Sequence, residues 1–134
     1  MTNQQEDGSL GKLVLRLTVG GLMLFHGVAK MMHPESLDFI GKSLTDVGLP
    51  LEMAYGVYVG EVLGPLMIIL GIYASIGGVM VLVNMAFAVY LVHMADLLVL
   101  TQHGGWKLEL QAFFLLGGLA IALLGSGRFA IKPD

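Results

Sequence analysis

The chain has no cysteine. That absence removes disulfide exchange, thiolate nucleophiles and cysteine-ligated iron–sulfur clusters from what it can do by itself. Charge is scarce too: 13% of the 134 residues are Asp, Glu, Lys or Arg, against about 25% in soluble domains. The net charge is −3 and no basic patch stands out, so no nucleic-acid partner is expected. The polar, acidic start, Met1–Ser9, lacks the basic residues, short apolar core and small-residue cleavage site of a signal peptide. The first apolar segment is therefore expected to stay as a membrane helix.

What is present is apolar: 56% of the residues are hydrophobic, and they are gathered in long runs. Four spans of about the 20 residues a bilayer requires can be drawn. They are about Leu10–Met31, Met53–Tyr73, Ser75–Leu100 and Trp106–Leu124. The alternative, a soluble four-helix bundle, would show a polar stripe along each helix, and these segments are apolar nearly all round. The expected fold is all-α, a four-helix transmembrane bundle forming one membrane domain over residues 1–134.

The stretch His33–Pro50 differs. Pro34 suits a first helical position. Leu37, Ile40, Leu44 and Val47 recur at near-helical spacing, and Gly48 with Pro50 reads as a stop. A short amphipathic helix between spans one and two is expected, lying at the membrane interface or standing as an ordinary solvated loop helix. The 19 glycines include Gly56, Gly60 and Gly64 at four-residue spacing, with Gly20/Gly21, Gly77/Gly78 and Gly117/Gly118 in the other spans. Their expected role is close helix packing. Four basic residues at the terminal ends against three on the other side favour both termini in the cytoplasm.

Glu61 is the residue that asks for an explanation. It lies near the middle of span two, where hydrocarbon cannot solvate its charge, so it needs a partner, a proton or a ligand. Pro65, four residues on, removes the amide that would bond the Glu61 carbonyl. Taking about 1.5 Å per residue, Glu61 lies roughly 12 Å below the outer boundary, His93 about 10 Å, His26 about 8 Å, Asp96 about 6 Å and Glu109 about 4–5 Å. Lys30 is at the boundary. His26 and Lys30 share one helix face, as do Tyr90, His93 and Asp96, and Trp106, Glu109 and Phe113; Tyr58 precedes Glu61 by three. Turned inward, these faces would build a pocket open toward the outer leaflet.

Each residue also has a structural reading. Lys30 would snorkel to headgroups, Trp106 would anchor at the interface, and Asp96 and Glu109 would be solvated. His26 would be a neutral core histidine. Arg16, about 22 Å down, would reach the inner headgroups or act as a strained counter-ion to Glu61. Asn84 is nearly opposite His93 on the helical wheel and reads as an interhelical hydrogen bond outside the site.

Leu15-Arg16-Leu17, Gly20, Leu24-Phe25-His26-Gly27 and Lys30 resemble the opening signature of DoxX-family membrane proteins. Glu61-Val62-Leu63-Gly64, the Gly104-Gly105-Trp106 turn and the closing Gly125-Ser126-Gly127-Arg128-Phe129 resemble its later segments. The resemblance runs from Leu10 to about Phe129. It implies a small four-helix protein of the bacterial cytoplasmic (inner) membrane in a respiratory or redox setting, with relatives linked to quinone-coupled oxidation.

Three functions remain open on this reading. In the first, the pocket holds a quinone or quinol. Glu61 and His26 are then the catalytic pair, Tyr58, Tyr90, His93, Glu109, Trp106, Lys30 and Arg16 are ligand-binding candidates, and a partner protein supplies electrons. In the second, His26, His93, Glu61 and Glu109 hold a metal or a haem. In the third, the chain is a carrier or accessory subunit for a small lipophilic compound. Assembly as a homo-oligomer is compatible with all three.

Overall fold

The structure, a computed structural model, describes residues 2–134, with side chains from Gly8 onward. The expectation for Met1–Ser9 therefore falls largely outside the described residues. Five helices follow one another: α1 (Thr2–Met32), α2 (Glu35–Asp46), α3 (Leu51–Leu70), α4 (Ala74–Asp96) and α5 (Glu109–Leu124). No strand occurs among the described residues, only two isolated bridges. Three stretches are long and apolar enough to cross a bilayer: Gly8–Met32, Leu51–Leu70 and Ala74–Asp96. With the shorter apolar α5, they make the all-helical membrane bundle that hydropathy predicts.

The ends differ from the expected spans for local reasons. At Gly71 the backbone turns left-handed (φ 71°), and the amides of Gly71 and Ile72 both donate to the Met67 carbonyl, so α3 stops before Tyr73. α4 ends at Asp96 although Leu97–Leu100 stay apolar; these side chains are exposed, Leu98 to 94%. Hydropathy continues there and the helix does not. α5 begins at Glu109 instead of Trp106, because the chain reverses at Gly104 (φ 89°). Thr101 N–H donates to the Gly105 carbonyl at 2.7 Å, and the Trp106 indole N–H to the Leu97 carbonyl at 2.9 Å. The fourth span is thus 16 residues, about 24 Å.

α2 is the short helix expected between the first two spans. Pro34 precedes its first residue, and Gly48 (φ 83°) follows its end. Leu44 and Gly41 are buried, and Gly41 faces Leu51 so closely that a Cβ there would collide with it. α2 therefore lies on the first turn of α3 and against the later part of α4.

α1, α3, α4 and α5 close a ring: α1 packs on α3, α3 on α4, α4 on α5, and α5 on α1. α3 and α5 stand on its diagonal. Val19, Met23, Ile68, Val81, Met85, Phe114 and Ile121 fill the centre. Glycines set the tightest approach. A Cβ on Gly78 would come within 2.6 Å of the Gly118 carbonyl oxygen, and one on Gly118 within 2.8 Å of the Gly78 oxygen. The expected packing role holds for Gly60, Gly64, Gly77, Gly78 and Gly118; Gly21 and Gly56 face open space.

Arg16 organises the far end of the bundle. It is 1% exposed, and its guanidinium donates to four carbonyls: Ile68 (2.9 Å), Ile69 (3.1 Å), Ser126 (3.0 Å) and Phe129 (2.6 Å). Two of these close the C-terminal turn of α3, where a cation also complements the helix dipole. The other two belong to the segment after α5, which crosses back over this end. Ile131 and Lys132 N–H donate to the carbonyls of Leu70 and Gly71 at 3.0 and 2.9 Å. Arg16 is thus a clasp. It is neither a headgroup contact nor the counter-ion of Glu61.

Candidate functional site

The opposite end of the bundle, where α1 finishes and α3 begins, holds a half-open cavity of about 910 Å³. All five helices contribute walls, and most of the lining is aliphatic or aromatic. Polar groups enter from all five helices. α1 supplies His26 and Lys30, α3 supplies Glu61, α4 supplies Asn84 and His93, and α5 supplies Gln111. α2 contributes Glu35, Ser36, Phe39 and Ile40 to the lining.

Glu61 is 4% exposed and both of its oxygens are held. Lys30 Nζ lies 2.6 Å from Oε1, and Asn84 Nδ2 donates to Oε2 at 2.8 Å. Three helices therefore converge on one carboxylate. Two glycines make the convergence sterically feasible. A Cβ on Gly27 would collide with the Glu61 backbone carbonyl, and one on Gly60 with the Asn84 side chain. Gly27 also packs against the carbonyl that Pro65 leaves without its helical donor. Glu61 sits in a π turn, Val59–Leu63, and such turns concentrate at functional sites.

These contacts change two readings. Lys30 is a quarter exposed but does not simply snorkel; it pairs with Glu61. Asn84 does bond between helices, as expected, but its partner is Glu61, so it belongs to the site. The helical wheel placed Asn84 and His93 on opposite sides. A second π turn, Val89–His93, inserts an extra residue between them and rotates His93 back by roughly a quarter turn. Both side chains then line the cavity.

The same π turn breaks the three-residue alignment of Tyr90 with His93, and Tyr90 faces outward, 58% exposed. His93 stays with Asp96, Nδ1 to Oδ2 at 3.9 Å, while Lys107 reaches the other Asp96 oxygen at 3.1 Å. His26 lines the cavity and meets Phe114 edge-on, ring centroids 5.6 Å apart at 84°. Tyr58 is beside the site, its hydroxyl 3.5 Å from the Lys30 carbonyl. Trp106 lies in the α4–α5 loop and Glu109 is exposed beside Gly105; neither lines the cavity. Arg16 is at the other end. Among the described residues no three His, Asp or Glu side chains gather to hold a metal ion, so His26, His93, Glu61 and Glu109 do not form the expected ligand set.

Gln111 escaped the sequence reading. It is the only side-chain amide in α5, within an apolar helix, and that isolation was the available signal. Chemically, the cavity offers an apolar chamber with the Lys30–Glu61 ion pair on one side, the Gln111 amide on the helix across from it and two imidazoles in its lining. Its lining combines hydrogen-bond donors, acceptors and titratable groups with a mostly apolar surface.

The model of the DoxX family matches residues 11–94 of this chain. A protein of Bacillus subtilis (strain 168) named "Putative oxidoreductase CatD" is 29% identical over 125 residues, covering 92% of this chain and 86% of that protein. No solved structure matches.

Proposed function

Because this chain belongs to the DoxX family, we propose that it is a membrane redox protein whose cavity takes up the head group of a quinone or quinol from the bilayer. The observation that carries this reading is Glu61, held by Lys30 and Asn84 at the wall of a large apolar chamber. A mostly apolar cavity with a few convergent polar groups is the usual form of a small-molecule site. The name of the Bacillus relative, which describes an oxidoreductase, supports the same direction.

A bound quinone supplies two-electron redox chemistry coupled to two protons. The chain's own part follows from its donors and acceptors. Lys30 has three N–H bonds and gives one to Glu61, leaving donors for a ring oxygen. Glu61, ion-paired and shielded from water, can take up the proton released next to it. His26 and His93 line the same chamber and can pass protons toward its rim. With no cysteine in the chain, the electrons would come from a bound cofactor or from an electron-donating partner protein. We place it in the bacterial cytoplasmic membrane with both termini inside, so that the cavity faces the outer leaflet.

The chain in lipid nanodiscs, titrated with a decyl-tailed ubiquinone or its quinol, tests this. Saturable binding is expected, weakened roughly tenfold or more in Glu61→Gln, the usual scale for losing a charge-assisted contact. A melting curve of the variant confirms that it is folded. Absence of saturable binding, or equal affinity in the folded variant, overturns the proposal.

A further inference from the structure

The cavity does not end beneath α2. Its lining includes Val59 of α3 and Val79, Val83 and Phe87 of α4, which are 44, 45, 47 and 40% exposed. Exposure alone says little of an apolar residue in a bilayer. Leu63 and Leu66 of α3 are exposed to 49 and 39% and do not line the cavity. What sets the first four apart is that one continuous space reaches both them and Glu61. Val79, Val83 and Phe87 follow at four-residue spacing and share a face of α4, about 12 Å from end to end. Behind this face the two helices touch. A Cβ on Gly60 would collide with the Asn84 side chain, and one on Gly64 would lie 3.2 Å from the Met80 Cβ. The space is thus a lipid-facing groove along the α3–α4 seam, not a tunnel through it. At the end nearer α2, Gly56 also lines the cavity, and a Cβ there would meet nothing within 4 Å. The α1–α5 side has no such track. His26 and Leu110 line the cavity there, but Met23 and Phe114, about one turn deeper, are 1% and 3% exposed and close it.

From this continuity we propose that the α3–α4 groove is the subsite for a hydrocarbon chain carried by the cavity's ligand, and the route by which that ligand enters from the bilayer. The two parts of the space are chemically unlike. Around Lys30, Glu61 and Asn84 it is polar, and along Val59, Val79 and Val83 it is wholly apolar. That division fits an amphiphile with one compact polar head and one long chain. The head lies against Lys30 and Glu61, and the chain leaves past Gly56 and runs over Val83 and Val79 toward the middle of the membrane. A chain in this groove keeps apolar contact on both sides, protein on one and lipid on the other. Drawing the head into the cavity therefore exposes no hydrocarbon to water. The inference rests on the quinone reading for the identity of the head and goes beyond it in assigning the chain.

The test compares two ligands on the intact chain in nanodiscs: decyl-ubiquinone and the same ring without its decyl tail. Gly56→Phe, placed in open space at the mouth of the groove, should weaken the tailed compound roughly tenfold and leave the tail-less one within about twofold. Gly21→Phe, on α1 outside the cavity lining, should change neither. Parent and variants share one bilayer, so partition of the tail into lipid cancels. A decyl-ubiquinone carrying a diazirine at the end of its tail should crosslink to Val79 and Val83, and excess decyl-ubiquinone should suppress that labelling. Equal effects of Gly56→Phe on the two ligands overturn the inference and leave the quinone reading standing, as does labelling spread evenly over the exposed residues of all the long helices. Should Gly56→Phe fail to fold, the crosslinking on the unmodified chain decides. If neither quinone binds the unmodified chain, the quinone reading fails, and a fatty alcohol with the same diazirine decides for the groove. Labelling at Val79 and Val83 that excess unlabelled alcohol suppresses supports it, and even labelling overturns it.

Discussion

A carboxylate at 4% exposure persists in an apolar bundle because each of its oxygens has a donor from a different helix. Removing one partner of a buried ion pair strands the other charge, at about 3–5 kcal/mol. Lys30→Met should therefore lower thermal stability in detergent by that order, and adding Glu61→Leu should restore most of it. A single variant that melts like the parent would show that the pair is not structurally coupled. At this scale the sequence was informative where cost was visible. Glu61 announced itself by depth, and Lys30 by standing one turn from His26. Asn84 and Gln111 did not, because an amide in a membrane helix is cheap enough to look like packing, and only the fold reveals what it faces.

The two π turns do at the level of helices what no residue does alone. Val59–Leu63 presents Glu61 toward Lys30, and Val89–His93 swings His93 into the chamber beside Asn84. A wheel drawn at 100° per residue cannot anticipate this, so Tyr90 was grouped with the wrong face. Hydropathy located the helices well but misplaced their ends, since Leu97–Leu100 remain apolar after the helix has stopped. Helix contact at the site depends on Gly27, whose Cα packs against the Glu61 carbonyl. Gly27→Ala should push α1 from α3, lengthen the Lys30–Glu61 contact and reduce ligand affinity roughly tenfold or more. Gly21→Ala on the same helix meets open space and serves as the control. Equal binding by both variants would refute the close-approach argument.

The molecule as a whole has an end that holds the cavity and an end that is closed by hydrogen bonds. At the closed end Asp134 accepts from the Ser75 and Ser126 amides at 3.0 and 2.9 Å, joining the segment after α5 to the start of α4. Burial opposes its charge, but the hydrogen bonds from Ser75 and Ser126 outweigh burial and hold its carboxyl below the usual aspartate range. A carboxyl lowered on folding stabilises fully above its unfolded value of about 3.9 and loses that contribution as pH falls through the lower folded value. Asp134→Asn should remove this acid-dependent component, seen as a flatter plot of melting temperature against pH below about 4. Parallel plots for the variant and parent would discount the contact. The clasp itself was not legible from the sequence: Arg16 looked like a headgroup or counter-ion residue because its carbonyl partners are main chain, which composition does not display.

The reach of that clasp has a consequence for how the protein is made. Arg16 lies in α1, yet two of its four acceptors belong to Ser126 and Phe129, 110 and 113 residues later. Throughout translation the guanidinium enters the lipid phase with part of its hydrogen-bonding capacity unmet, and it must be tolerated there by water, headgroups or the insertion machinery. Completion of the Arg16 hydrogen bonds is thereby tied to the segment that follows α5.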